Sequence, residues 1–484
     1  MTIGLSAFRD SGITRGAGVS SQAEVDALSK ALETGYGIGP NQTGGAALRV
    51  ESLEASLKVL TFTASHIKFW KKIPKSPAYS TVEEYNQQTN YGGQATPWVQ
   101  EGELPQASDS SYVRRTQLVK FLGTVREVTH QASLVSPAHG NLISLENQNG
   151  IMYLLEQVEK FLFVGDSSLS FDGEAEQWDG LDSLIDSSSV LDLGGSSMQE
   201  ADFEEASNII IENYGFPTDC FLGTRVMSDL VKTLYPRQRI QMPAPVNGKI
   251  GMTVSSVETQ GGDIQLNPNI FVRKTPVAPG TATSANAPVT PASIASVLNG
   301  AGTTGDHTKG APTGTSNFAY VVTAANRFGE SAPTAVQGAV TAMTDVQKAA
   351  SNTITLTVTN AAVIGAFPTE YVKIYRSKAS LSTVVPTSLS DYYLIAQVPV
   401  SSQAAAGATV VTDVNLTLPG TSTAYMGELT PSVLTFRQLM PMMKMDLAVL
   451  SPAYRWMIML YGTPILFAPK KWIRLSNIGD LETR

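Results

Sequence analysis

The sequence predicts an α+β protein whose chain is interrupted by a separate all-β domain. Three observations carry that reading. Residues 275–425 hold twelve charged side chains in 151 residues, against 64 in the other 333, and none of the five tryptophans. Before that seam, apolar residues at helical spacing alternate with short apolar runs, as in an α+β domain. Inside it, β-branched and aromatic residues alternate with polar ones in short, regularly spaced runs. The chain after the seam, 426–484, reads as the return of the earlier core. A domain inserted where both ends re-enter an intact core gives this pattern.

Residues 1–50 read as an arm with one short helix. Ser21 and Glu24 form a capping-box pattern, Val25, Leu28 and Leu32 share a face, and Gly35 is placed as the stop. The core spans 51–274 and opens with a helix expected over 50–60, where Val50, Leu53, Leu57 and Leu60 form one stripe. From Tyr79 the pattern turns extended around a polar excursion, GGQATPWVQEGELPQASDS, whose glycines and prolines exclude a helix. Its flank, SYVRRTQLVKFLGTVREVT, reads as strand. A two-stranded arm over 79–115 cannot bury its own faces and needs a neighbour. Trp98 within it is either pinned to the parent core or a contact for another chain.

A long amphipathic helix is expected over 144–165, with Ile151, Leu154, Leu155, Val158, Phe161 and Leu162 on its stripe and Gly165 as its stop. The next helix is expected to start near Ser197, with Glu200 completing a capping box, and to run to Tyr214. A short strand over 220–222 leads to a helix over 225–234, closed by Pro236.

The seam opens with 276–316, where 31 of 41 residues are Pro, Gly, Ala, Ser or Thr, a composition that reads as linker or loose loop. Strands are then expected at 318–322, 354–358, 371–375, 392–398 and 409–414, which together indicate a β-sandwich. YVVTAANRFGES (320–331) and EYVKIYRS (370–377) resemble the fibronectin type III and bacterial immunoglobulin-like families, although the tryptophan common in fibronectin cores is missing. Tyr371, Tyr375, Tyr392 and Tyr393 either form an adhesive surface or pack half-buried in strands.

Composition excludes several functions. A formal charge of −8 argues against nucleic-acid binding through a net basic surface. The single cysteine, Cys220, allows no intrachain disulfide, and its apolar strand context reads as a buried thiol. No window approaches the roughly 18 apolar residues of a membrane span, and the N-terminus reads as free of a signal peptide. The expectation is a soluble protein used in a cytoplasm. Between Lys160 and Arg225 there are fourteen acidic residues and no basic one, while Lys68, Lys71, Lys72, Lys75, Lys470, Lys471 and Arg474 cluster elsewhere. That asymmetry is either a solvated acidic surface or head-to-tail complementarity between identical subunits.

No constellation for catalysis, cofactor or metal binding emerges. His66, His130, His139 and His307 stand alone, and no nucleophile-elbow, zinc, Walker or dinucleotide motif occurs. FDGEAEQWDG (171–180) lacks the order of a calcium loop, and adjacent Glu204 and Glu205 point in different directions on a helix. Catalytic, cofactor-binding and metal residues are therefore all read as none.

The order of elements, with VEKFLFVGD (158–166), WDGLDSLID (178–186), the 201–230 stretch containing GFPTDCFLGTRVMSDL, and WMIMLYGTPILFAP (456–469) as a closing strand, resembles the major capsid proteins of tailed bacteriophages, with their Hong Kong 97-type fold. That resemblance covers roughly 50–274 and 426–484. It implies that 79–115 is an extended loop overlapping a neighbour and that 144–165 is a spine helix in a peripheral domain. It also implies that 190–270 belongs to an axial domain. Intersubunit contacts would fall to Trp98, Glu101, Arg114 and Arg115. The implied function is self-assembly of pentamers and hexamers into an icosahedral head that encloses double-stranded DNA without sequence-specific binding. Assembly would take place in the host cytoplasm. Portal and separate scaffolding or decoration proteins would be partners; no membrane and no cofactor would be involved. The insert is either a packing decoration or a weak adhesin for glycans or cell surfaces, multiplied by copy number. No lysine lies between Lys75 and Lys120, so the loop cannot supply a crosslinking lysine. The alternatives are a phage tail or baseplate component and, more remotely, a secreted carbohydrate-active enzyme, for which the chain shows neither leader nor paired-carboxylate cleft.

Overall fold

The structure, a computed structural model, describes residues 61–481 less 94–95, 97, 106, 136–139, 170–176, 239–253, 273, 301–304, 336–338, 362–366, 383–385, 402–406 and 450. The arm expected over 1–50, the helix expected over 50–60 and most of the FDGEAEQWDG run lie outside the described residues.

A four-stranded sheet runs in the order Lys75–Pro77, Leu434–Asp446, Ala453–Leu466, Lys120–Thr129. The long helix occupies Leu142–Val164 and buries Leu154, Val158, Leu162 and Phe163, while Ile151, Leu155 and Phe161 are half-buried. Val128, Trp456 and Ile458 of the sheet meet Leu154 beneath it. Each such fully buried side chain contributes roughly 1.5–3 kcal/mol. Gly165 does more than stop the helix. A Cβ there would lie 2.4 Å from the Trp178 carbonyl, and the chain returning through Gly180 hydrogen-bonds back to Gly165 at 2.9 Å. Only glycine admits that approach.

Glu159, on the same helix, is fully buried. Its carboxylate accepts from the backbone N–H groups of Lys68 (2.9 Å), Phe69 (2.8 Å) and Trp70 (2.8 Å), and from Asn269 Nδ2 (2.7 Å). A buried charge is tolerated only when so saturated with donors. One side chain thus ties the helix to the Phe69–Lys72 turn and to the end of the strand Gly262–Asn269. Sequence periodicity does not reveal it, because Glu159 sits beside the apolar stripe like any surface glutamate.

A six-stranded sheet runs in the order Val190–Asp192, Trp472–Ile478, Ser422–Gly427, Asp219–Gly223, Gly262–Asn269, Ser256–Thr259. Helices Glu200–Glu212 and Thr224–Gln238 pack on it through Phe203, Ile210, Val226 and Leu230. Two expectations about these helices need correction. The first cap is Gln199, paired with Asp202 (2.6 Å), rather than Ser197 with Glu200, because Met198 is still drawn extended into the core. The second helix is not closed by Pro236 but continues to Gln238, although proline has no N–H to give to the carbonyl of residue 232. The closing strand is also not 456–469. Ala453–Leu466 is a central strand of the four-stranded sheet, and Trp472–Ile478 closes the chain.

Ser422–Gly427 lies in the six-stranded sheet between Asp219–Gly223 and Trp472–Ile478. Residues 422–425, expected to belong to the interrupting segment, are thus paired in this sheet. Serine, threonine and alanine at 422–424 resemble the composition of the segment they leave, so composition groups them with it. Entry and exit are adjacent, with Thr275 N donating to Thr421 O at 3.0 Å.

Between them lie two antiparallel sheets. One contains Gly329–Glu330, Ser316–Asn326, Tyr371–Ser377 and Tyr392–Pro399, with Ala339–Met343 also pairing to Ser316–Asn326. The other runs Ala408–Asp413, Ile354–Thr359, Ser293–Leu298. Phe318, Tyr320, Val322, Leu356, Val358 and Ile374 fill the layer they share. The linker expected over 276–316 is overturned in part: Ser293–Leu298 is a paired strand, Ala278 is buried and Val277 bridges to Tyr393. Within that run of small residues, Ile294 and Leu298 are enough to seat the strand on the core layer. The tyrosines are mostly packing. Tyr375 and Tyr392 are buried, with hydroxyls on Glu330 and the Pro386 carbonyl, so they form no adhesive surface.

The charge asymmetry resolves partly within the chain. Lys72 pairs with Asp219 at 2.5 Å and Arg474 with Asp182 at 2.7 Å, so members of the basic clusters meet the acidic interval of the same molecule. Lys309, from the inserted segment, meets Asp192 at 2.8 Å. Among the described residues no helix is long and apolar enough to cross a membrane.

Candidate functional site

The arm consists of strands Val82–Asn90 and Ser111–Leu118, paired antiparallel from Val82↔Leu118 to Asn90↔Ser111. It forms a sheet of its own, and none of its residues is fully buried. Its base is pinned: the Tyr85 ring meets Phe467 edge-on at 5.0 Å, and Gln87 Nε2 donates to the Phe467 carbonyl at 2.6 Å. Burial there raises the Tyr85 hydroxyl pKa, with Arg115 pulling the other way. At the far end, Gly92 takes a left-handed φ of 76°, and a Cβ there would lie 2.6 Å from the Asp109 carbonyl. The chain can close on itself at that point only through glycine.

The tip carries large apolar side chains in water. Tyr91, Trp98 and Leu104 are 89%, 86% and 92% exposed. Trp98 is therefore not pinned to the chain's own core, which removes one of its two expected roles. Glu101 is exposed beside it in a turn closed by Glu103 N donating to Gln100 O at 3.0 Å. Arg114 and Arg115 lie instead on the stem and are engaged there, Arg114 with Glu84 at 3.3 Å and Arg115 Nε with Gln87 Oε1 at 3.4 Å. The four candidate residues thus fall into a tip pair and a stem pair. Sequence reading missed Tyr91 and Leu104, although apolar residues isolated in a polar, proline-bearing excursion are the available signal.

A second uncovered surface lies on the four-stranded sheet, opposite the long helix. Alternation along Lys120–Thr129 exposes Phe121 (59%) and Val125 (56%), and register places Met445 on the same face through Met457. Tyr461 meets the Phe121 ring edge-on at 4.8 Å. Apolar groups gathered on one face without cover mark a contact surface. Cys220, by contrast, is fully buried, and burial, reinforced by Asp219, pushes its thiol pKa far up, which removes it as a nucleophile.

Residues 41–325 match the family model of the SU10 major capsid protein. The chain is 31% identical, over 94% of its own length and 95% of the relative's, to the candidate major capsid protein of Enterococcus phage phiEF24C. The chain belongs to the SU10 major capsid protein family. It is 28% identical to the major capsid protein of Staphylococcus phage S25-3, over 93% of this chain and 94% of that one. A solved chain from Mycobacterium phage Adephagia covers 92% of this chain and all of its own at 8% identity and a TM-score of 0.42, too distant to argue from. A member of this family is a structural component of the virion, copies of which form the shell of a phage head, and not an enzyme. The tail, baseplate and carbohydrate-enzyme alternatives fall away. The long matches also run through 275–425, so these relatives carry a counterpart of the inserted segment.

Proposed function

We propose that the chain folds in the Hong Kong 97 manner and builds an icosahedral head around double-stranded DNA, from pentamers and hexamers locked by the 79–115 arm. In this reading Leu142–Val164 is the spine helix and the six-stranded sheet belongs to the axial domain. The observation that carries it is the arm tip, where Trp98 is 86% exposed in a ribbon that has no core of its own. Trp98 would anchor the tip on a neighbouring subunit, with Glu101 beside it and Arg114 and Arg115 bordering the contact. The uncovered face around Phe121 and Val125 offers an apolar seat of the right chemistry. Portal and separate scaffolding or decoration proteins would complete the head. Trp98→Ala should leave the subunit's circular dichroism unchanged and abolish or sharply reduce shells in sedimentation. Normal shells from that variant would refute the role of the tip.

The segment 276–421 reads as an immunoglobulin-like sandwich displayed on the shell as a decoration. Its two facing sheets and the adjacency of Thr275 and Thr421 support this. Replacing 276–420 by a short Gly/Ser linker should preserve solubility and shell formation. A cut extending to 424 should not, because it enters the strand Ser422–Gly427. Insoluble product from the first replacement would show that the segment is integral to the core.

A further inference from the structure

We propose that the cavity at the junction of the inserted segment and the parent domain binds a small phosphate-bearing anion. The cavity holds about 470 Å3, within the range of roughly 300–1,000 Å3 usual for small-molecule sites. Lys309, Phe318, Arg376 and Lys378 wall it from the inserted segment, and Arg225 and Asp480 from the parent. Four cations thus face one carboxylate, but they are not equally available. Lys309 is engaged by Asp192 at 2.8 Å and Asp306 at 3.4 Å. Arg376 is 1% exposed and gives Nη1 to Asp413 and Nη2 to Asn415, both at 2.5 Å. Its Nε has no partner among the described residues.

The remaining charge does not balance. Arg225 shares Asp229 with Lys232, and shares Asp480 with Lys274, so three cations face two carboxylates. Lys378 has no carboxylate partner among the described residues. With Lys309 counted against its two carboxylates and Arg376 against Asp413, six cations meet five carboxylates, and that net positive charge beside an unmet buried N–H donor favours an oxyanion over a neutral ligand or a cation. Phosphate suits this set, accepting from lysine as a point charge and from arginine through its planar fork. Because both segments line the cavity, occupancy would hold the inserted segment against the parent.

Calorimetric titration of the full chain at low salt, with inorganic phosphate and with adenosine monophosphate as probes, tests this directly. One saturable site per chain is expected. Lys378 is exposed, so Lys378→Gln should keep the fold while weakening binding by about tenfold or more; Arg225→Gln should act in the same direction. Saturation should also slow amide exchange at 418–421 and 479–481. Tighter binding of the nucleotide would make a phosphorylated metabolite the natural source, and equal affinities would make it free phosphate. Absence of saturation by about 10 mM of either probe, or equal affinity in wild type and both variants, would overturn the assignment.

Discussion

The arm and the inserted segment both leave the parent core, but they are built on opposite principles. The arm has two strands, no fully buried residue among those described, and a tip where Tyr91, Trp98 and Leu104 stand in water. The inserted segment has two sheets, a shared apolar layer and a central strand, Ser316–Asn326, buried along its whole length. It even affords a buried ion pair, Arg376 with Asp413, whose carboxylate also accepts from the Tyr320 hydroxyl at 2.8 Å. An element that completes itself can be carried as a passenger, whereas one that cannot must be completed by something else. In the shell proposed above, that something would be another copy.

The difference should show first in what breaks each element. Asp413→Ala leaves the Arg376 guanidinium buried and unpaired, which costs roughly 3–5 kcal/mol. Denaturation should show the inserted segment losing stability by about that much while shells still assemble. If assembly fails as well, the segment is not a passenger. Trp98→Ala should do the reverse: little change in subunit stability, and a loss of roughly 2 kcal/mol or more per contact in assembly. The concentration at which shells appear measures that loss.

Acid should act first on the inserted segment, before the depressed carboxylates Asp186, Asp192 and Asp229 of the parent are protonated. Burial holds the His307 imidazole below its ordinary pKa, opposed by Asp413 and reinforced by Arg376. A histidine depressed in the fold contributes stability above its unfolded value of roughly 6.5 and loses it as pH falls toward the folded value. For Asp413, burial alone would raise the carboxyl, but Arg376, the Asn415 N–H and the Tyr320 hydroxyl outweigh it and hold it low, so its share disappears only under more acid conditions. The melting temperature of the inserted segment should therefore begin to fall below about pH 6.5, and His307→Gln should flatten that first step. An unchanged profile in the variant would remove His307 from the explanation.

The smallest effects belong to the arm's surface ion pair and to redox. Arg114→Ala removes an exposed pair with Glu84 and should shift subunit stability by less than about 1 kcal/mol. With Cys220 buried and no lysine between Lys75 and Lys120, shells boiled in detergent without reductant should run as a single band near 51.5 kDa.

Periodic signals were legible in the sequence and positional ones were not. The helix expected over 144–165 lies at Leu142–Val164, and the alternating runs of the seam lie in strands, because burial imposes those periods directly. Glu159 was hidden, since its partners are backbone N–H groups 89 to 91 residues away. The strand Ser293–Leu298 was hidden because its inward face, Ile294 and Leu298, is short and set in a run of small residues. Residues 422–425 were grouped with the low-charge segment although they pair in the six-stranded sheet, because threonine and serine serve sheet and loop alike. At the arm, the sequence marked Trp98 but could not choose between core and partner; exposure decides against the core.

Hydrogen exchange compared between free subunits and assembled shells tests the central contrast most directly. Amides at 91–110 should exchange fast in the free subunit and become strongly protected on assembly, while those at 316–326 should be equally protected in both. An arm that exchanges as fast in the shell as in the free subunit would contradict the account.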